Sequence, residues 1–77
     1  LKDLGNLKDA KLAYLKGIEL KPDYVESYNN LGIILKDLGN LKEAKLAYLK
    51  AIKLKPDYVE AYNNLGGIFK KIGISIG

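Results

Sequence analysis

Residues 35–50 read LKDLGNLKEAKLAYLK, and residues 1–16 read LKDLGNLKDAKLAYLK. Only Glu43 against Asp9 separates the two. The coincidence continues outward: Leu1–Gly39 laid over Leu35–Gly73 gives 39 pairs, of which 31 are identical. The substitutions are Asp9/Glu43, Gly17/Ala51, Glu19/Lys53, Ser27/Ala61, Ile33/Gly67, Leu35/Phe69, Asp37/Lys71 and Leu38/Ile72. A fixed offset of 34 residues points to an array of like units, each burying its apolar face on the next.

The punctuation repeats with the same offset. Gly5, Gly39 and Gly73 stand where a helix would end, because glycine accepts the left-handed backbone of a helix stop. Asn6 with Asp9, and Asn40 with Glu43, read as N-caps with an acidic residue three positions on, as do Asp23 with Glu26 and Asp57 with Glu60. Pro22 and Pro56 disfavour helix at the lysine before them. Between these signals the apolar spacing is helical. Tyr28, Leu31, Leu35 and Leu38 step by three, four and three, as do Tyr62, Leu65, Phe69 and Ile72. Leu41, Ala44, Tyr48 and Ala51 keep the same steps, echoed by Leu7, Ala10, Tyr14 and Gly17, so each set forms one stripe. The spacing predicts helices near residues 7–20, 24–38, 41–54 and 58–72, joined by short turns that favour antiparallel neighbours.

On these residues the chain resembles the tetratricopeptide repeat (TPR) family. Tyr28-x-x-Leu31-Gly32-x-x-Leu35, then Ala44-x-x-x-Tyr48, Ala51 and Pro56, is similar to the family pattern W-x-x-L-G-x-x-Y, A-x-x-x-F, A, P. Tyr62-x-x-Leu65-Gly66-x-x-Phe69 opens a second copy, and the likeness covers residues 1–73. It implies an all-α fold, a right-handed α-solenoid of antiparallel helical hairpins with about two repeats. The expected division is a half repeat at 1–24, a full repeat at 25–58, a half repeat at 59–73 and an irregular tail at 74–77. Gly32 and Gly66, facing Ala44 and Ala10, are expected to let helices approach closely. In the tail, Ile74 replaces an N-cap and Gly77 an acidic residue, so no further helix is specified there. An array cut in this way is expected to be marginally stable alone or to self-associate through its open ends.

Composition narrows the function. The chain has no Cys, His, Trp, Met or Arg. Thiolate and imidazole metal ligands, Cys nucleophiles and the usual general base are therefore missing. Ser27 and Ser75 have no histidine to activate them, and no enzyme, cofactor or metal is expected. The net charge of +4 is carried by Lys alone. Reading base edges leans on Arg, so no nucleic acid is expected. No apolar run approaches the roughly 20 residues that span a bilayer, so no membrane is expected either. A chain that opens on Leu1 without Met reads as a piece of something longer. Its compartment is not readable, with the cytoplasm the default.

The expected partner is another protein or peptide. The resemblance implies that the first helix of each hairpin lines a concave groove for an extended peptide or a partner helix. The exposed groove-facing residues are then Glu26, Asn29, Asn30, Ile33, Lys36 and Asp37 on one helix, with Glu60, Asn63, Asn64, Gly67, Lys70 and Lys71 on the next. Asn30 and Asn64 match the asparagine that pairs with the ligand backbone in some members; the alternative is that they are solvated or bond neighbouring helices. The Lys/Asn carboxylate clamp of other members is not carried over, since Asn29 or Asn63 and Ile33 or Gly67 occupy its positions. Lys36, Lys70 and Lys71 favour an acidic ligand or simply aid solubility. A second candidate surface is convex. Leu46 lies about 180° and Leu49 about 120° from the core stripe at the helical angle per residue, and Leu12 and Leu15 repeat them. This leucine set reads either as a homo-oligomer interface or as apolar surface covered by lysine stems.

Overall fold

The structure is a computed structural model that describes residues 4–73. Among the described residues the order is α1 (Leu4–Leu20), α2 (Val25–Asp37), α3 (Leu41–Leu54) and α4 (Val59–Ile72), with no strand. The expected α-solenoid is what forms: α2 and α3 make a hairpin with the most extensive packing, α1 packs on α2, and α4 packs on α3 and along one side of α2. The tail expected to be irregular, residues 74–77, lies outside the described residues.

The α2–α3 turn is built by the backbone. Gly39 takes φ +87°, its N–H donates to Lys36 O at 2.9 Å, and the Asn40 N–H donates to Leu35 O at 2.8 Å. These two bonds satisfy the last carbonyls of α2 in the manner of a Schellman stop. The Asn40 carbonyl then accepts the Ala44 N–H at 2.9 Å and opens α3. Asn40 thus serves both helices through its main chain, and its side chain makes no capping bond.

The other proposed caps do not form either. Tyr24 and Tyr58 are the N-cap residues of α2 and α4, and neither makes a side-chain cap. Pro22-Asp23 and Pro56-Asp57 are instead the central residues of turns closed by Tyr24 N–H to Lys21 O at 3.2 Å and Tyr58 N–H to Lys55 O at 3.0 Å. Proline presets the first central position of such a turn, which leaves each Asp one residue too early to cap. Lys21 lies 5.3 Å from the centre of the Tyr24 ring, and Lys55 lies 5.5 Å from that of Tyr58. Each exposed cation–π contact is worth about 0.5–1 kcal/mol. Glu26 and Glu60 fall in the first helical turns, where a carboxylate favours the positive helix end.

At the start of α1 the expectation fails. Gly5 and Asn6 lie inside the helix rather than at a stop and a cap. Gly39 turns the chain because α2 must be ended and reversed onto α3. Gly5 has the same local sequence but keeps helical backbone within α1.

The core is Leu31 and Leu35 from α2, Ala44, Ala47 and Tyr48 from α3, and Leu65 and Ile68 from α4. Tyr14, Ile18, Ile33, Leu41, Ile52 and Phe69 pack around it. Tyr48 is fully buried and covers Gly32, where an added Cβ would stand 2.5 Å from the ring Cε1. Gly66 differs from the expectation: nothing lies within 4 Å of its notional Cβ. α4 turns Ala61, Leu65 and Ile68 toward the core, all buried, and leaves Tyr62 and Ile72 of its proposed stripe exposed, along with Gly66. α2 has two packing faces, one for α1 before it and one for α3 after it. Among the described residues, only the first of these has an occupied counterpart on α4.

Candidate functional site

α2 and α4 each pack on α3 in antiparallel fashion, so they run parallel to each other and align equivalent residues side by side. Their acidic first turns carry Glu26 and Glu60, and their last turns carry Lys36, Lys70 and Lys71. Between these ends lie Asn29, Asn30, Asn63 and Asn64. The sequence pattern therefore aligns an acidic end, an amide-rich middle and a basic end.

The middle is more enclosed than expected. Asn29, expected to be exposed, is only 4% exposed. The Asn64 side-chain amide donates to Asn29 Oδ1 at 3.0 Å. Burial, with the Glu60 and Glu26 carboxylates nearby, pushes the Tyr58 hydroxyl above its ordinary range, and Asn29 acts in the opposite direction. Asn29 is buried because it faces α4, and an amide there satisfies polar groups from the neighbouring helix rather than solvent. Of the two readings of Asn64, bonding to a neighbouring helix is realised for one of its amide hydrogens. Its other hydrogen and carbonyl oxygen have no partner among the bonds above.

Ile33 is likewise not an exposed groove residue. It is half-buried and packs against the core, because an isoleucine beside the α2–α4 contact gains more from apolar burial than from water. Asn30, Lys36 and Asp37 are also half-buried, whereas Asn63, Gly67, Lys70 and Lys71 are exposed. The structure brings Asn29 and Asn64 together across two helices, with Asn30 and Asn63 next to them in sequence. The convex set is exposed throughout: Leu12 is 63%, Leu46 62%, Leu15 42% and Leu49 41% accessible. A surface hollow of about 390 Å³ lies beside this set, lined by Lys8, Lys11, Leu12, Leu38 and Asn40; it is separate from the asparagine cluster.

The spacing of apolar residues did not reveal Ser27, Ala47 or Ile68, which are all buried. The repeat offset held a usable signal: Ser27 aligns with Ala61, and both are small residues that are buried. Among the described residues no helix is long and apolar enough to cross a membrane, and no group of His, Cys, Asp or Glu is arranged to hold a metal ion.

A family model described as TPR repeat matches the chain twice, at residues 1–39 and at residues 34–73. The chain belongs to the TPR repeat family. TPR repeats are generally protein–protein interaction modules and typically non-catalytic. The two matched TPR stretches share the hairpin turn around Gly39, where α2 hands over to α3. No match to this TPR chain is found among the curated proteins.

Proposed function

We propose that the chain binds an extended segment of another protein along the α2–α4 face, with Asn30, Asn63 and Asn64 pairing with the ligand backbone. The Asn64–Asn29 bond supports this reading best, because it holds one side of the Asn64 amide in place and leaves the rest to a ligand. An amide offers both donor and acceptor, so it pairs with a peptide backbone whatever the ligand sequence. Fixing the side chain beforehand lowers the entropy cost of binding.

The charges give the ligand a direction. Lys36, Lys70 and Lys71 attract an acidic stretch or a terminal carboxylate, and Glu26 and Glu60 attract a basic one. A peptide with its acidic half toward the C-terminal ends of α2 and α4 is the expected ligand. The test is a peptide-array screen followed by fluorescence anisotropy on the best binder. Asn30→Ala with Asn64→Ala is expected to weaken binding at least tenfold, and Lys70→Glu with Lys71→Glu to remove the preference for acidic peptides. Unchanged affinity in the asparagine double variant rejects the groove.

A further inference from the structure

The outer flank of α4 repeats, position for position and with changes at residues 69 and 72, the surface on which α2 carries α3. Tyr62, Leu65, Gly66, Phe69 and Ile72 align with Tyr28, Leu31, Gly32, Leu35 and Leu38. On α2 this surface is covered: Gly32 is buried under the Tyr48 ring and Leu35 belongs to the core. On α4, Leu65 and Phe69 turn to the core, while Tyr62 is 49% and Ile72 38% accessible and nothing lies within 4 Å of a Cβ at Gly66.

The complementary surface sits at the other end of the molecule. Residues 6–16 of α1 repeat residues 40–50 with Asp9 for Glu43 as the single change. Ala44, Tyr48 and Ala51 of α3 are fully buried between α2 and α4. Their counterparts Ala10, Tyr14 and Gly17 have α2 on one side and are only half-buried. Among the described residues, α4 has no helix on the flank where α2 carries α3, and α1 has none on the flank where α3 carries α4. Within the chain itself, the sequence after Gly73 does not repeat residues 40–43, since Ile74 and Gly77 stand where Asn40 and Glu43 would recur.

We infer that, in the 77-residue chain, the open flank of α4 is a docking surface for α1 of a second copy, joined as α3 is joined to α2. The interface continues the internal α2–α3 interface by one more step of the same repeat, with the second copy's Tyr14 ring over Gly66. The two surfaces differ, so the contact is heterologous; joined as α3 is joined to α2, it extends the solenoid instead of closing, and each added copy presents a fresh α4. The product is a growing solenoid whose mean mass rises continuously with concentration. Association through the convex leucines Leu12 and Leu46 is a different outcome: one patch meeting itself, with mass levelling off at the dimer.

Sedimentation velocity of the 77-residue chain over a concentration series, beside three substitutions, tests this. Gly66→Ala adds a methyl group that meets nothing in one copy but falls under the docked Tyr14 ring, as a Cβ at Gly32 falls 2.5 Å from Tyr48 Cε1. Gly66→Leu enlarges the clash. Gly67→Ala is the control with the same helix propensity, at a position where the α2 counterpart is Ile33 and a side chain is accommodated. The expected result is open-ended growth for the wild type and Gly67→Ala, association at least tenfold weaker for Gly66→Ala, and a monomer for Gly66→Leu. Circular dichroism confirms that each remains helical. A wild type that stays monomeric at millimolar concentration overturns the inference. So does a Gly66→Leu variant that associates like the wild type, or association abolished by Leu12→Glu with Leu46→Glu but not by Gly66→Leu. Peptide binding by α2–α4 is measured separately on the Gly66→Leu monomer, so failure of the groove and failure of the stack are distinguishable.

Discussion

Tyr48 lies over Gly32 so closely that a methyl group at residue 32 would stand 2.5 Å from Cε1 and 2.7 Å from Cδ1 of the ring. The hairpin interface is set by this contact, which places the largest side chain of the core where α2 has none. Gly32→Ala forces the ring or the helix to move, and overpacking of this kind costs about 1–3 kcal/mol. Gly66→Ala in dilute solution meets no atom and gains up to about 1 kcal/mol of helix propensity. Urea melts of both variants are expected to shift in opposite directions from the wild type.

The Tyr48 hydroxyl is buried without a hydrogen-bond partner. An unsatisfied buried polar group costs about 1–3 kcal/mol, so Tyr48→Phe is expected to stabilise the chain by about 1 kcal/mol in a chemical melt. The same site couples stability to alkaline pH. Burial, with the nearby Asp37 carboxylate, raises the Tyr48 pKa from 10.0 to about 12. The unfolded chain releases this proton first, so Tyr48's contribution to stability is complete below pH 10 and is lost as pH climbs toward 12. Lysines titrate in the same range, so the measurement is the difference between wild type and Tyr48→Phe, which should widen from pH 9 to 12.

Gly5 and Gly39 stand in the same hexapeptide, Leu-Lys-Asp-Leu-Gly-Asn, yet one is helical and the other has φ +87°. Gly5→Ala is expected to stabilise by up to about 1 kcal/mol through helix propensity. Gly39→Ala is expected to cost about 1–2 kcal/mol, because an L side chain is strained in the left-handed region. Thermal melts of the two variants would separate them; equal shifts would mean that α1 breaks at Gly5 after all.

Asn29 and Asn63 occupy the same place in successive units, but Asn29 is buried against α4 and Asn63 faces water. Asn29→Ala removes the acceptor of the Asn64 bond and is expected to lower stability by about 1–2 kcal/mol. Asn63→Ala is expected to stay within about 0.5 kcal/mol of the wild type. In a peptide titration the order should reverse for the direct contact, with Asn63→Ala reducing affinity while the melt is unchanged.

The repeat offset and the three-and-four spacing of Tyr, Leu, Ala and Gly sufficed for four helices, their order and the hairpin solenoid. Those features are carried by local periodicity and by a chain that aligns with itself. Exposure of Leu12, Leu15, Leu46 and Leu49 was legible for the same reason, since helical angle alone puts them opposite the buried stripe. What the sequence could not decide is how identical segments behave in different surroundings. Gly32 is sealed by Tyr48 while Gly66 is bare, Gly39 turns while Gly5 stays helical, and Asn29 is enclosed while Asn63 is wet. Each pair shares its local sequence almost completely, so no propensity separates the members. The difference comes from whether a neighbouring helix is present to be packed against, and that is a property of the stacked array.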